Sequence, residues 1–96
     1  MIKGRISNGF EFAFDEVVLD DMRLIDTMAV IVDENSKNSD RLAATTKASE
    51  MILGKAQKEK LYAHIGKLHD GRVPRAEFEA ALSEIMASAG KDAEKN

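Results

Sequence analysis

The sequence predicts an α+β fold, with an N-terminal two-stranded antiparallel β-hairpin packed on a bundle of about four short α-helices. Three observations predict it. Large apolar residues alternate with small or polar ones through residues 2–14, the period of a strand with one buried face. From about residue 20 to residue 89 the apolar residues recur at three- and four-residue spacing, the period of helices. Gly54, Gly71, Pro74 and Gly90 punctuate that second region. A length of 96 residues fits one domain, residues 1–90, followed by a flexible tail over 91–96 that is polar except for Ala93.

The hairpin spans 2–15 around Ser7-Asn8-Gly9. Asn-Gly suggests a two-residue turn. That register would pair Ser7 with Phe10, Arg5 with Phe12 and Lys3 with Phe14, placing phenylalanines and polar residues on one face. A three-residue loop of Ser7, Asn8 and Gly9 instead pairs Ile6 with Phe10, Gly4 with Phe12 and Ile2 with Phe14. Directly opposed residues share a face, so this register gathers the large apolar side chains and turns Lys3, Arg5, Glu11 and Ala13 outward. It needs a left-handed residue at the end of the loop, which Gly9 supplies. An isolated hairpin is unstable in water, so the phenylalanine face needs a cover: the chain's own helices or another copy.

Asp20 can cap a first helix, about 20–34. Met22, Leu24, Ile25, Met28, Ala29, Ile31 and Val32 fill roughly half its circumference, a wide arc for a surface helix. Ile25, Met28 and Val32 sit at the centre of the arc and are expected in the core. Leu24 and Ile31 lie at one edge, as the rim of the core or as a contact surface, and Val30 lies inside the polar half. Leu24, Val30 and Ile31 are therefore the candidate partner-binding residues. After a polar break at 35–38, Ser39 can cap a second helix, about 40–53, stopped by Gly54. Its apolar Leu42, Ile52 and Leu53 share a face with Thr45 and Ser49. A third helix, about 55–68, gathers Leu61, Ile65 and Leu68. His69-Asp70-Gly71 is a turn, and Pro74 suits the first turn of a fourth helix, about 74–89. Phe78, Ala81, Leu82, Ile85, Met86 and Ala89 form its stripe, and Gly90 ends it.

No constellation for chemistry assembles. Cysteine is absent, which excludes disulfides and thiolate chemistry and fits a reducing compartment. His64 and His69 are about 140° apart on a helix, whereas a metal pair on one face needs a spacing of three or four. No nucleophile elbow and no glycine-rich phosphate loop occurs. Asp70-Gly71-Arg72-Val73 with Glu77 resembles the second half of a calcium-binding EF-hand loop. That alignment, however, puts Gly66 and Leu68 where oxygen ligands must stand. Net charge is -3 and the basic residues are scattered, so no nucleic-acid or anionic-lipid footprint is expected. No apolar run nears the roughly 20 residues that span a bilayer, and the first residues lack the pattern of a secretory signal. The expectation is a soluble, intracellular, non-enzymatic protein without cofactor or metal.

The order of the segments is more specific than any one of them. A phenylalanine-rich hairpin precedes the acidic helix start Val17-Val18-Leu19-Asp20-Asp21-Met22-Arg23-Leu24-Ile25-Asp26. Ile52-Leu53-Gly54-Lys55-Ala56-Gln57-Lys58-Glu59-Lys60-Leu61 follows. Asp70-Gly71-Arg72-Val73 comes next, and a terminal helix closes on Ala89-Gly90-Lys91. This order, over about residues 4–92, resembles the small tail assembly chaperones of long, non-contractile-tailed phages and of prophages in Gram-positive bacteria. The resemblance implies a homo-oligomer that coats the tape-measure protein and keeps it soluble until tube subunits displace it. It also implies action beside a frameshift-extended form of the same protein, in the host cytoplasm, and absence from the finished virion. No catalytic or ligand-binding residues carry over from it. The chain departs from the family pattern at Ser36–Ser49, which is rich in Ala, Thr and Ser where relatives are richer in leucine, and at Pro74, where a capping serine is commoner. The alternative function is a small protein-interaction adaptor of phage or bacterial origin with one fixed partner.

Overall fold

The computed structural model describes the backbone of residues 1–95 and the side chains of residues 1–89. The fold is α+β: an antiparallel hairpin, a short 3-10 helix and three α-helices. Strands β1 (Ile2–Arg5) and β2 (Glu11–Phe14) pair Ile2 with Phe14 and Gly4 with Phe12. The Ile6 N–H donates to the Phe10 carbonyl at 3.0 Å, and the Gly9 N–H donates to the Ile6 carbonyl at 2.9 Å. These bonds close the three-residue loop, with Gly9 at φ +93°. The Asn8 side chain accepts from the Phe10 N–H at 2.9 Å. The register is the one that groups the apolar residues, and Ile2, Ile6, Phe10, Phe12 and Phe14 are all buried under the chain's own helices.

The hairpin is fastened at three points. At the loop, the Ser7 N–H and hydroxyl donate to the two Glu84 carboxylate oxygens at 3.0 and 2.7 Å. Beside it, His64 Nε2 donates to the Asn8 carbonyl at 2.8 Å. Along β2, the Gln57 carboxamide accepts from the Ala13 N–H and donates to the Ala13 carbonyl, both at 2.7 Å. Gln57 thus stands in for the peptide group of a third strand and satisfies part of an otherwise open edge.

Asp15 caps the 3-10 helix (Glu16–Asp20), and Asp21, one residue later than expected, caps α1 (Met22–Val32). The Asp21 carboxylate accepts from the Arg23 N–H at 2.9 Å. The helix expected over 20–34 is shorter because the 3-10 turn takes its start and Asp33 its end. The helices expected at 40–53 and 55–68 form one helical segment, α2 (Asn38–Leu68), interrupted by non-helical backbone at Gly54 (φ +77°, ψ 160°). The count is therefore three α-helices rather than about four. Ser39 does not cap this segment; it starts after Lys37 without a side-chain cap. At its end, the Gly66 carbonyl accepts from the N–H groups of both His69 and Gly71, and Asp70 joins Gly71 at positive φ.

Helix α3 (Arg75–Lys95) starts after Pro74 and runs past Gly90, so the expected end there is corrected. An isolated glycine lowers helix stability by only about 1 kcal/mol and does not by itself end a helix. The tail expected over 91–96 lies outside the described side chains. The hairpin packs on the C-terminal part of α2 and on α3, while α1 lies mainly along the N-terminal part of α2. Phe78, Ala81, Leu82, Ile85 and Ala89 of α3 join Leu61 and Ile65 of α2 in one core.

Candidate protein-binding surface

Helix α1 has more apolar surface than the fold covers. Its inward edge is Leu24, 2% exposed, with Thr27. The Thr27 hydroxyl is satisfied within the helix, donating to the Arg23 carbonyl at 2.7 Å. The inward residues of the facing part of α2 are small: Ala44, Thr45, Ala48 and Ser49 are all buried. Small residues let one edge of α1 approach closely and leave the opposite side of its arc uncovered. Met22, Ile25 and Val32 are consequently 62%, 44% and 75% exposed. With Ala29 they recur at spacings of three and four along one outward stripe.

This corrects the expectation that Ile25 and Val32 are core. The centre of the apolar arc is not the centre of the contact, because α2 meets the arc at its edge. Of the three candidate residues, Leu24 belongs to the core. Val30 is half-buried, and its carbonyl accepts from the Ser36 hydroxyl at 2.8 Å. It lines a shallow groove between α1 and α2 with Thr27 and Ala44. Ile31 is half-buried and lines a different groove, so the three do not form one patch.

That second groove, of about 490 Å³, opens between α1, the start of α2 and α3. Met28, Ile31, Val32 and Met86 supply apolar lining, and Arg41 and Glu79 supply charge. Val32 belongs to both the groove and the outward stripe, so the two surfaces are continuous. Methionine adapts its shape to varied apolar partners. Arg41 is held by the carbonyl of Asp33 at 2.9 Å, and its buried Nε has no hydrogen-bond partner among the described residues. Sequence periodicity shows the α1 arc and places Met86 in the α3 stripe, but it does not show that the two meet in this groove.

Elsewhere, several polar side chains tie parts of the fold together. Lys58 is buried; its Nζ lies 3.4 Å from Glu50, 3.5 Å from the Thr46 carbonyl and 5.5 Å from the centre of the Tyr62 ring. It thus ties the two parts of α2 across Gly54. His64 is engaged by the hairpin loop, and His69 Nε2 lies 3.9 Å from Glu77. Among the described residues no group of three or more His, Cys, Asp and Glu is placed to hold a metal ion. Among them no helix is long and apolar enough to cross a membrane. No protein-family model, curated protein or solved structure matches the chain.

Proposed function

We propose that the protein is a tail assembly chaperone of a long-tailed phage or prophage, one that self-associates and coats the tape-measure protein until tube subunits displace it. The observation that carries this reading is the uncovered stripe of Met22, Ile25 and Val32, continuous with the methionine-lined groove. The identity of the client rests on the resemblance of the segment order to that family. A client helix lays its apolar side along the stripe and into the groove, the helix-in-groove mode. Each large aliphatic side chain so buried contributes roughly 1.5–3 kcal/mol before ordering costs, which gives weak binding per copy. Many copies along one long client raise the avidity, and weak individual contacts let tube subunits strip the coat. Action in the host cytoplasm, partnership with a frameshift-extended form and absence from the finished virion belong to the same proposal.

The first test is whether the locus of this gene encodes a tape-measure protein, and the second is co-expression with it. Wild type should hold the client in the soluble fraction. Ile25→Asp and Val32→Asp should stay folded by circular dichroism and fail to do so, whereas Leu24→Asp should unfold the chain. A locus without a tape-measure gene, or full client protection by the folded variants, would sink the proposal. A one-to-one complex with some other protein would favour the adaptor reading instead.

A further inference from the structure

The segment that carries the stripe is strongly acidic. Residues 15–34 hold seven acidic residues, Asp15, Glu16, Asp20, Asp21, Asp26, Asp33 and Glu34, against the single basic Arg23. That segment carries a net -6, against -3 for the whole chain, so the remainder is net positive. Exposed Lys55, Lys60, Lys67, Arg72 and Arg75 lie on the C-terminal part of α2, the turn after it and the start of α3. Some of the acidic charge is answered locally: Glu16 pairs with the N-terminal ammonium at 2.6 Å and Asp21 with Arg23 at 3.2 Å. Asp26 and Asp33 have no ion pair among the described residues.

These two carboxylates are placed along the stripe. Asp26 follows Met22 by four residues and precedes Ala29 by three, so it borders the same outward edge of α1. Asp33 follows Asp26 by seven, two turns further along that edge, at the C-cap. The opposite border of the apolar surface is the groove, where Arg41 and Glu79 present both signs. Asp26 also lines the separate groove between α1 and α2, where Asp40, Arg23 and Lys47 present both signs.

We propose that the occupant of this surface is an amphipathic helix whose apolar stripe is flanked by Lys or Arg along the side that meets Asp26 and Asp33. This rests on the docking reading above and adds the chemistry of the partner. Apolar burial supplies the affinity, and the carboxylate row sets orientation and rejects acidic helices. A cationic flank also fits the electrostatics of approach, since the acidic segment attracts it while the basic end of the molecule repels it.

Two synthetic helical peptides with one apolar stripe, flanked by Lys in one and Glu in the other, test this by fluorescence anisotropy against the full chain. At low ionic strength the Lys-flanked peptide should bind about three- to tenfold more tightly, as expected for one or two exposed charge pairs. The gap should close at about 0.5 M salt. Asp26→Lys should abolish or reverse the preference. Glu59→Lys, the same charge change on exposed α2 surface, should leave it in place. Equal binding of the two peptides by wild type would overturn the charge rule while leaving apolar docking intact. An equal response to Glu59→Lys would overturn it too, by reducing the preference to net charge. Failure of both peptides to bind would overturn the docking reading together with it.

Discussion

The hairpin and α1 both carry wide apolar faces, and the fold treats them oppositely. The hairpin loses its whole face to the interior: Ile2, Ile6, Phe10, Phe12 and Phe14 are buried without exception. Helix α1 buries Leu24 and Thr27, half-buries Met28, Val30 and Ile31, and leaves Met22, Ile25 and Val32 in water. Geometry accounts for the difference. A strand pair has two flat faces, so one covering layer hides every residue of a face. A helix is a cylinder, and one neighbour covers only a strip. An arc of half the circumference needs two neighbours, and in this chain α1 has one helix along its length and an open groove where α3 approaches.

The largest expected effect tests this contrast in stability. Phe12→Ala should cost about 3–5 kcal/mol, the range for truncating a buried aromatic residue. The Phe12 ring also fills the space over Gly4, where a Cβ would lie 2.9 Å from its tip, so truncation opens a gap on the opposing strand as well. Ile25→Ser and Val32→Ser should each change stability by less than about 0.5 kcal/mol, as surface substitutions do. Urea melts compare all three. A loss of several kcal/mol from Val32→Ser would mean that α1 has a covering partner within the folded chain, and the contrast would collapse.

The same contrast explains how much of the molecule was legible in the sequence. The hairpin register could be read residue by residue, because a slip of one position moves every phenylalanine to the wrong face. The stripe of α3 was legible for a related reason: it is narrow, and a narrow stripe has one way to face inward. The arc of α1 had several. Which edge met the core depended on the small residues Ala44, Thr45, Ala48 and Ser49 of α2, and those read as a poor pattern rather than as a closely packed face. Thr27, a polar residue at the true centre of the contact, masked it further. Periodicity therefore shows the arc but not which of its edges is covered: Leu24 is core, and Met22, Ile25 and Val32 are exposed. Lys58 and Gln57 escaped notice because a long polar side chain looks solvent-facing in sequence, while its role here is to reach a carbonyl in another segment.

A second prediction concerns the break that separates the two halves of α2, one supporting α1 and the other supporting the hairpin. Gly54 has φ +77° and ψ 160°, a conformation essentially confined to glycine, and an added Cβ would meet nothing within 4 Å. Any cost of Gly54→Ala is therefore backbone strain and not collision, and should be about 1–3 kcal/mol. If the two halves serve different surfaces, hydrogen exchange in the variant should rise on both sides of residue 54. A stability gain would show that the chain relaxes into a straight helix and that the break is not needed to hold α1 and the hairpin on one core.

The smallest effect expected concerns how the hairpin tip is fastened, and it depends on pH. Glu84 accepts from both the hydroxyl and the N–H of Ser7, and these bonds favour the carboxylate, holding its pKa below the ordinary 4.5. The hydroxyl is the larger cause and the backbone N–H the second. A depressed folded-state pKa means that the unfolded chain takes up the proton first as the pH falls. The stabilisation is therefore complete above the ordinary pKa and is lost as the pH drops through the folded-state value. Glu84→Gln should be less stable than wild type near neutrality, and the difference should shrink in acid. Ser7→Ala should reproduce most of that change, since the N–H still donates. Glu16 and Asp21 are depressed too, by the N-terminal ammonium and by Arg23 respectively, so both variants keep an acid-sensitive limb. Urea melts from about pH 7 down to about pH 3 resolve the shared limb from the part that Glu84 owns. A gap between wild type and Glu84→Gln that stays constant across that range would mean that the ionised carboxylate gains nothing from Ser7. The loop would then be held by His64 and the phenylalanine face alone.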